Sequence, residues 1–167
     1  TPTTVKLAYN AKEYQQLLTQ PEFDWRQHVA MESDPGPLTI AEETKLYVEA
    51  GRVRVEAKNA GGRSLALLPI QYSNCLKVSG TGNPQLVRSD LLLTGLLFSG
   101  ESHIWIDFDL GFFSAACRWS DIADMKRLKI PEAVEILSAE RHPFAIKSIS
   151  DIPLRMNQLL DQYRRLQ

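Results

Sequence analysis

Cysteine is scarce: Cys75 and Cys117 are the two in a chain of 167 residues. That is too few for a disulfide-dense scaffold and too few for a four-ligand structural zinc site. Charge of one sign is lacking as well. Nineteen Lys and Arg stand against twenty Asp and Glu, a formal net charge of −1, which argues against nucleic-acid binding driven by net charge. No apolar run approaches the roughly 20 residues that a membrane helix needs. The longest, Leu91 to Phe98, is broken by Thr94 and Gly95. There is no internal repeat, and no nucleophile elbow, phosphate loop, GxGxxG, HExxH or paired CxxC. No signal peptide is read at the start, which opens at Thr1 rather than Met, so the expectation is a processed protein or a fragment of a larger one.

What is present is an ordinary globular composition, with 44% hydrophobic, 23% charged and 8% aromatic residues. Disorder, collagen-like repeats and coiled coil are thereby excluded, and the length fits one domain over residues 1–167 with one sizeable core. Asn10-Ala-Lys-Glu13 is a helix start, with Asn10 as cap and Glu13 at the reciprocal position; Tyr14, Leu17 and Leu18 share a face and Pro21 ends the run, predicting a helix over 10–20. His28 to Glu32 is readable as a short strand, and Asp34-Pro-Gly-Pro37 as a turn. From there the period changes to two. Lys45 to Val48 opens a strand, and in Arg52 to Lys58 the apolar Val53, Val55 and Ala57 alternate with Arg54, Glu56 and Lys58. Asn59-Ala-Gly-Gly62 reads as a hairpin turn. Ser64 to Tyr72 is nearly continuous in apolar residues, with Pro69 tolerated best at an edge or bulge, and Leu76 to Val78 continues it after a break.

Thr81-Gly-Asn-Pro84 is a further turn, followed by strands over Leu86 to Ser89 and Leu92 to Phe98. After Ser99-Gly-Glu101 comes the cleanest pattern. Ile104, Ile106, Phe108 and Leu110 point one way, and His103, Trp105, Asp107 and Asp109 the other. The last third turns helical: Ser120 caps a short segment, Pro131 to Glu140 is ambiguous, and Met156, Leu159, Leu160 and Tyr163 form the stripe of a final helix capped by Ser150 or Asp151. The fold predicted is mainly β within the α+β class. It is an antiparallel, jelly-roll-like β-sandwich over 38–112, with an N-terminal helix and a helical region over 120–167 packed on it.

Several of these segments carry a family likeness: Arg52-Val-Arg-Val-Glu56, Leu67-Leu-Pro-Ile-Gln-Tyr-Ser73, Lys77-Val-Ser-Gly80, Leu93-Thr-Gly-Leu-Leu97 and Ser99-Gly-Glu-Ser-His103. Together with Leu17-Leu-Thr-Gln-Pro-Glu-Phe-Asp24 they resemble the extracytoplasmic C-terminal β-sandwich of bacterial YfhO-like membrane proteins, glycosyltransferases of the GT-C class. The resemblance runs over roughly residues 12 to 112, with Cys75-Leu76 where that family has Gly-Trp, and residues 113–167 find no counterpart. It implies a membrane-tethered accessory domain outside the cytoplasm, itself no enzyme, whose partners are the membrane-embedded part of a parent protein or a glycan. It offers no catalytic residue to carry over. The rivals are a free-standing carbohydrate-binding module and a small glycan-acting enzyme.

The strip His103, Trp105, Asp107 and Asp109 is the best candidate ligand site. Alternate residues on a strand lie about 6.6 Å apart on one face. An indole covers the apolar face of a pyranose while carboxylates accept its hydroxyl hydrogens. The competing reading is a solvated sheet face, or one packed on a terminal helix. Carboxylates about 7 Å apart suit an inverting glycosidase, but an open strand is no cleft and nothing nearby raises one pKa. No cofactor and no metal is expected. Since the resemblance sets the chain outside the cytoplasm, Cys75 and Cys117 are candidates for a disulfide closing a loop of about 40 residues. Two buried free thiols is the equal alternative. Arg118, Lys126, Arg127 and Lys129 form a basic cluster, read first as a solvated face and second as a contact for anionic lipid.

Overall fold

A computed structural model describes residues 1–49, 51–108 and 115–130, all within one compact unit, Thr1–Ala133. Nine strands and two helices are described: β1 (Thr4–Leu7), α1 (Ala11–Leu18), β2 (His28–Met31), β3 (Glu43–Glu49), β4 (Arg52–Lys58), β5 (Ser64–Gln71), β6 (Leu76–Gly80), β7 (Gln85–Ser89), β8 (Leu93–Phe98), β9 (Ser102–Phe108) and α2 (Ala115–Arg127). They form a five-stranded sheet in the order β1-β2-β7-β8-β5 and a four-stranded sheet in the order β3-β4-β9-β6. The molecule is thus mostly β, two sheets with two helices, in a sandwich-like α+β arrangement.

Val55 and Ala57 of β4, Ala66 and Leu68 of β5, Leu96 and Phe98 of β8, and Ile104 and Ile106 of β9 are buried together between the sheets. Burying a side chain of this size stabilises by about 1.5–3 kcal/mol, so this cluster holds the two layers face to face. The first sheet is apolar on its other side as well, where Val29, Met31, Leu65 and Leu97 form a second buried cluster. Burial on both faces explains the near-continuous apolar runs of β5 and β8. The second sheet instead alternates: along β9, Ser102, Ile104 and Ile106 are buried while His103 is exposed and Trp105 and Asp107 are half-buried. Phe108, expected to point inward, is 44% exposed, because the core ends at Ile106. Leu110 lies outside the described residues.

Several expectations change with the pairing. Asn59-Ala-Gly-Gly62 is not a hairpin turn, since β4 pairs with β3 and β9 whereas β5 pairs with β8. It is a corner where the chain passes from one sheet to the other. Leu76 to Val78 likewise does not continue β5, because β6 joins β9 in the second sheet. β1 precedes the helix and pairs in parallel with β2, the one parallel pair among the nine described strands, and both lie upstream of residue 38. Pro69 sits where the β5–β8 register shifts, between Leu68 and Gln71.

α1 starts as its sequence dictates. Asn10 Oδ1 accepts from Glu13 N–H at 3.1 Å, and Glu13 reaches back to Tyr9 N–H at 2.7 Å. Tyr14 is fully buried with Ala8, Ala30 and Leu128, while Leu18 is exposed. Ser120 is no cap: it lies inside α2, its hydroxyl donating to Ala116 O at 3.1 Å. Residues 131–167, with the final apolar stripe, lie outside the described residues.

Candidate functional site

The register of the second sheet builds a row across its outer face. Tyr47 lies opposite Arg54, Arg54 opposite Trp105, and Trp105 opposite Ser79. The Arg54 guanidinium carbon sits 4.1 Å from the Tyr47 ring centre and 5.8 Å from that of Trp105, and Arg52 lies 5.5 Å from the Trp105 ring. Guanidinium over an aromatic face is attractive through the ring quadrupole. Each arginine is then fixed by carboxylates. Arg52 donates to both oxygens of Asp107, from Nη2 at 3.0 Å and from Nε at 2.5 Å. Arg54 donates from Nε to Glu49 at 3.0 Å and also pairs with Glu56, which accepts from the Tyr47 hydroxyl at 3.3 Å. The result is a row of two aromatic rings, each beside a guanidinium that carboxylates hold.

His103, Trp105 and Asp107 all come to this face, with His103 opposite Glu56 on the neighbouring strand. Asp109 lies outside the described residues. Tyr47, Arg52 and Arg54 complete the face and were not singled out by sequence reasoning. The alternation along 52–58 puts the arginines on the polar side, but only the long-range β4–β9 pairing brings them to Trp105.

The hydrogen bond from Arg52 holds the Asp107 carboxyl below the usual carboxylate range, against a small opposing effect of burial. A carboxylate so held stays ionised and is a poor proton donor. Among the described residues no group of three His, Cys, Asp or Glu is arranged to hold a metal ion.

A second polar assembly lies where α2 meets the first sheet. Arg88 stacks 4.5 Å over the Tyr72 ring, makes an ion-pair contact with Glu32 at 3.4 Å and donates to Asp124 at 3.1 Å. Arg127 pairs with the same two acids, at 2.5 and 3.1 Å, so although it is exposed, as are Arg118, Lys126 and Lys129, its charge is shared with this network. Asp121 accepts from Ser73 Oγ at 2.6 Å and from the side chain of Asn74 at 2.8 Å. Cys75 and Cys117 are joined by a disulfide with their Cα atoms 5.0 Å apart, which pins α2 to the loop between β5 and β6. Of the two readings open for these thiols, the structure has the bonded one. A cavity of about 250 Å³ opens beside this junction, between Tyr72, Arg88, Leu92, Phe108 and Met125. Gln71, Ser73 and Asp121 also line it, and its one guanidinium is paired with two acids. Among the described residues, no helix is long and apolar enough to cross a membrane.

No family model, no curated protein and no solved structure matches this chain.

Proposed function

We propose that this chain is a non-catalytic recognition domain that works outside the cytoplasm and contacts glycan through the outer face of its four-stranded sheet. The parent in this reading is a YfhO-like membrane glycosyltransferase, whose membrane-embedded part is the second partner. The observation that carries the reading is the Tyr47–Arg54–Trp105 row, in which two aromatic rings stand beside arginines that are themselves tied to Asp107, Glu49 and Glu56. Flat aromatic surface beside ionised carboxylates and guanidinium donors complements a sugar, with its apolar ring face and its rim of hydroxyls. The disulfide supports an oxidising compartment. The jelly-roll-like winding belongs to the same reading. It is supported by five passages between sheets, β2 to β3, β4 to β5, β5 to β6, β6 to β7 and β8 to β9.

The enzymatic alternative requires a carboxyl group able to give up a proton near neutrality. Asp107 is held in the opposite sense. The test is a glycan array followed by titration of the best binder. Trp105→Ala is expected to weaken binding by at least about tenfold, the equivalent of about 1.4 kcal/mol, with the melting temperature within a few degrees of wild type. Unchanged binding in Trp105→Ala, or sugar turnover that disappears in Asp107→Asn, contradicts the reading.

A further inference from the structure

β3 is the exposed edge of the second sheet, and among the described residues no strand pairs with its far side. Six of its seven residues are exposed. Leu46 and Val48 lie opposite Val55 and Val53, so they share the face that forms the core elsewhere in this sheet. Yet Leu46 is 37% and Val48 76% exposed. Natural edge strands are normally blunted by proline, a bulge or short length. β5, at an edge of the other sheet, carries both Pro69 and a register shift. β3 has no proline and no bulge, and its register with β4 is unbroken over all seven residues; the charges that also blunt edges, Glu43, Lys45 and Glu49, all lie on its outer face. A straight edge strand with bare aliphatic side chains on the core side is a template for another strand whose charges match its own.

We propose that the occupant is a second copy of this chain, with β3 pairing antiparallel to β3 across a twofold axis and joining the two four-stranded sheets into one. Charge selects the register. Centred on Tyr47, the pairing sets Lys45 opposite Glu49 of the partner subunit twice over on the outer face, and Leu46 opposite Val48 of the partner subunit on the inner one. Centred on Leu46, it would set Glu43 against Glu49; centred on Lys45, it would bring the two lysines together. Like charges directly opposite are unfavourable, so of these three registers the Tyr47-centred one is favoured, and it is the one that also sets the exposed Leu46 and Val48 against each other. An isologous contact of this kind closes on itself as a dimer and leaves β3 with no free edge. Lys45 now pairs with Glu43, both exposed, at little cost to rearrange, and Arg54 keeps Glu56 when Glu49 turns to the partner subunit.

Sedimentation equilibrium of the full chain over a dilution series tests this. The expected limit at high concentration is twice the 18.9 kDa chain mass, and Val48→Lys, a change at an exposed position that leaves the fold intact, is expected to restore the single-chain mass. Lys45→Glu should weaken dimerisation by about tenfold and Lys45→Glu combined with Glu49→Lys should recover it. Mild oxidation reads the register itself. Directly opposed residues on antiparallel strands have Cα atoms about 4.5–5.5 Å apart, within disulfide reach, so Tyr47→Cys should cross-link to itself and Lys45→Cys should not. A wild-type chain that stays at single mass throughout overturns the proposal, as does a Lys45→Cys cross-link in place of the Tyr47→Cys one.

Discussion

At one end of the sandwich, Asn59 accepts from the Gly100 N–H at 2.7 Å and donates to Ser64 Oγ at 2.9 Å, so a single buried amide ties the β4–β5 corner to the β8–β9 corner. The third corner is locked beside it: Gly82, at φ +83°, accepts from Ser99 N–H at 2.8 Å, and a Cβ there would lie 1.8 Å from Ser102 Oγ. Asn59→Ala leaves the Gly100 donor and the Ser64 hydroxyl without that partner. The expected cost is about 1–3 kcal/mol, read as a drop of several degrees in melting temperature. At the other end, burial pushes Asp124 up, but hydrogen bonds from Asn74, Arg127 and Arg88 outweigh it and hold the carboxyl below its ordinary value. A carboxyl depressed in the folded state contributes stability that is present above the unfolded value of about 3.9 and lost as the pH falls through the lower folded one. Acid unfolding monitored from pH 7 downward should therefore steepen below about pH 4 in wild type and less so in Asp124→Asn.

α2 is held by three devices: the Cys75–Cys117 disulfide, the acceptors Asp121 and Asp124, and the buried Leu128 just past its end. Much of the helix is exposed, Trp119 to 65%, so little apolar burial secures it. Replacing both cysteines by serine should cost up to about 3–4 kcal/mol in the chain-entropy model. Amide exchange should quicken in α2 before it does in β8 or β9. A uniform change across the sheets would count against a local clamp. The elements themselves were legible in the sequence where one face is wet. The alternation of 52–58 and 102–107 follows directly from a sheet with one solvated side. Their partners were not legible, because a Gly-containing connection serves a hairpin and a sheet-to-sheet corner equally well. The β7–β8 turn also gave no local signal. Asp90 and Leu91 both take positive φ, and what compensates is tertiary: Asp90 holds Ala30 through its backbone N–H and its carboxylate, and Leu91 packs with Tyr14 and Leu128.

For the whole molecule, the division of labour follows from which sheet faces are covered. Within the five-stranded sheet, β5 and β8 bury residues on both sides, whereas the four-stranded sheet turns one side to the core and keeps the other for charged and aromatic groups. His103, Trp105 and Asp107 were placed together by strand periodicity alone. Tyr47, Arg52 and Arg54 were not, since they reach Trp105 only through pairings that span about fifty residues of chain. The account stands on that outer face being where glycan binds. Three indole N–H groups, of Trp25, Trp105 and Trp119, give separate reporters, and Trp25 and Trp119 lie at exposed positions outside the nine strands. In a nitrogen–proton correlation spectrum titrated with the best glycan from the array, the Trp105 indole signal should move and saturate while the other two stay in place. Movement confined to Trp25 or Trp119, with Trp105 unmoved at saturating glycan, would contradict it.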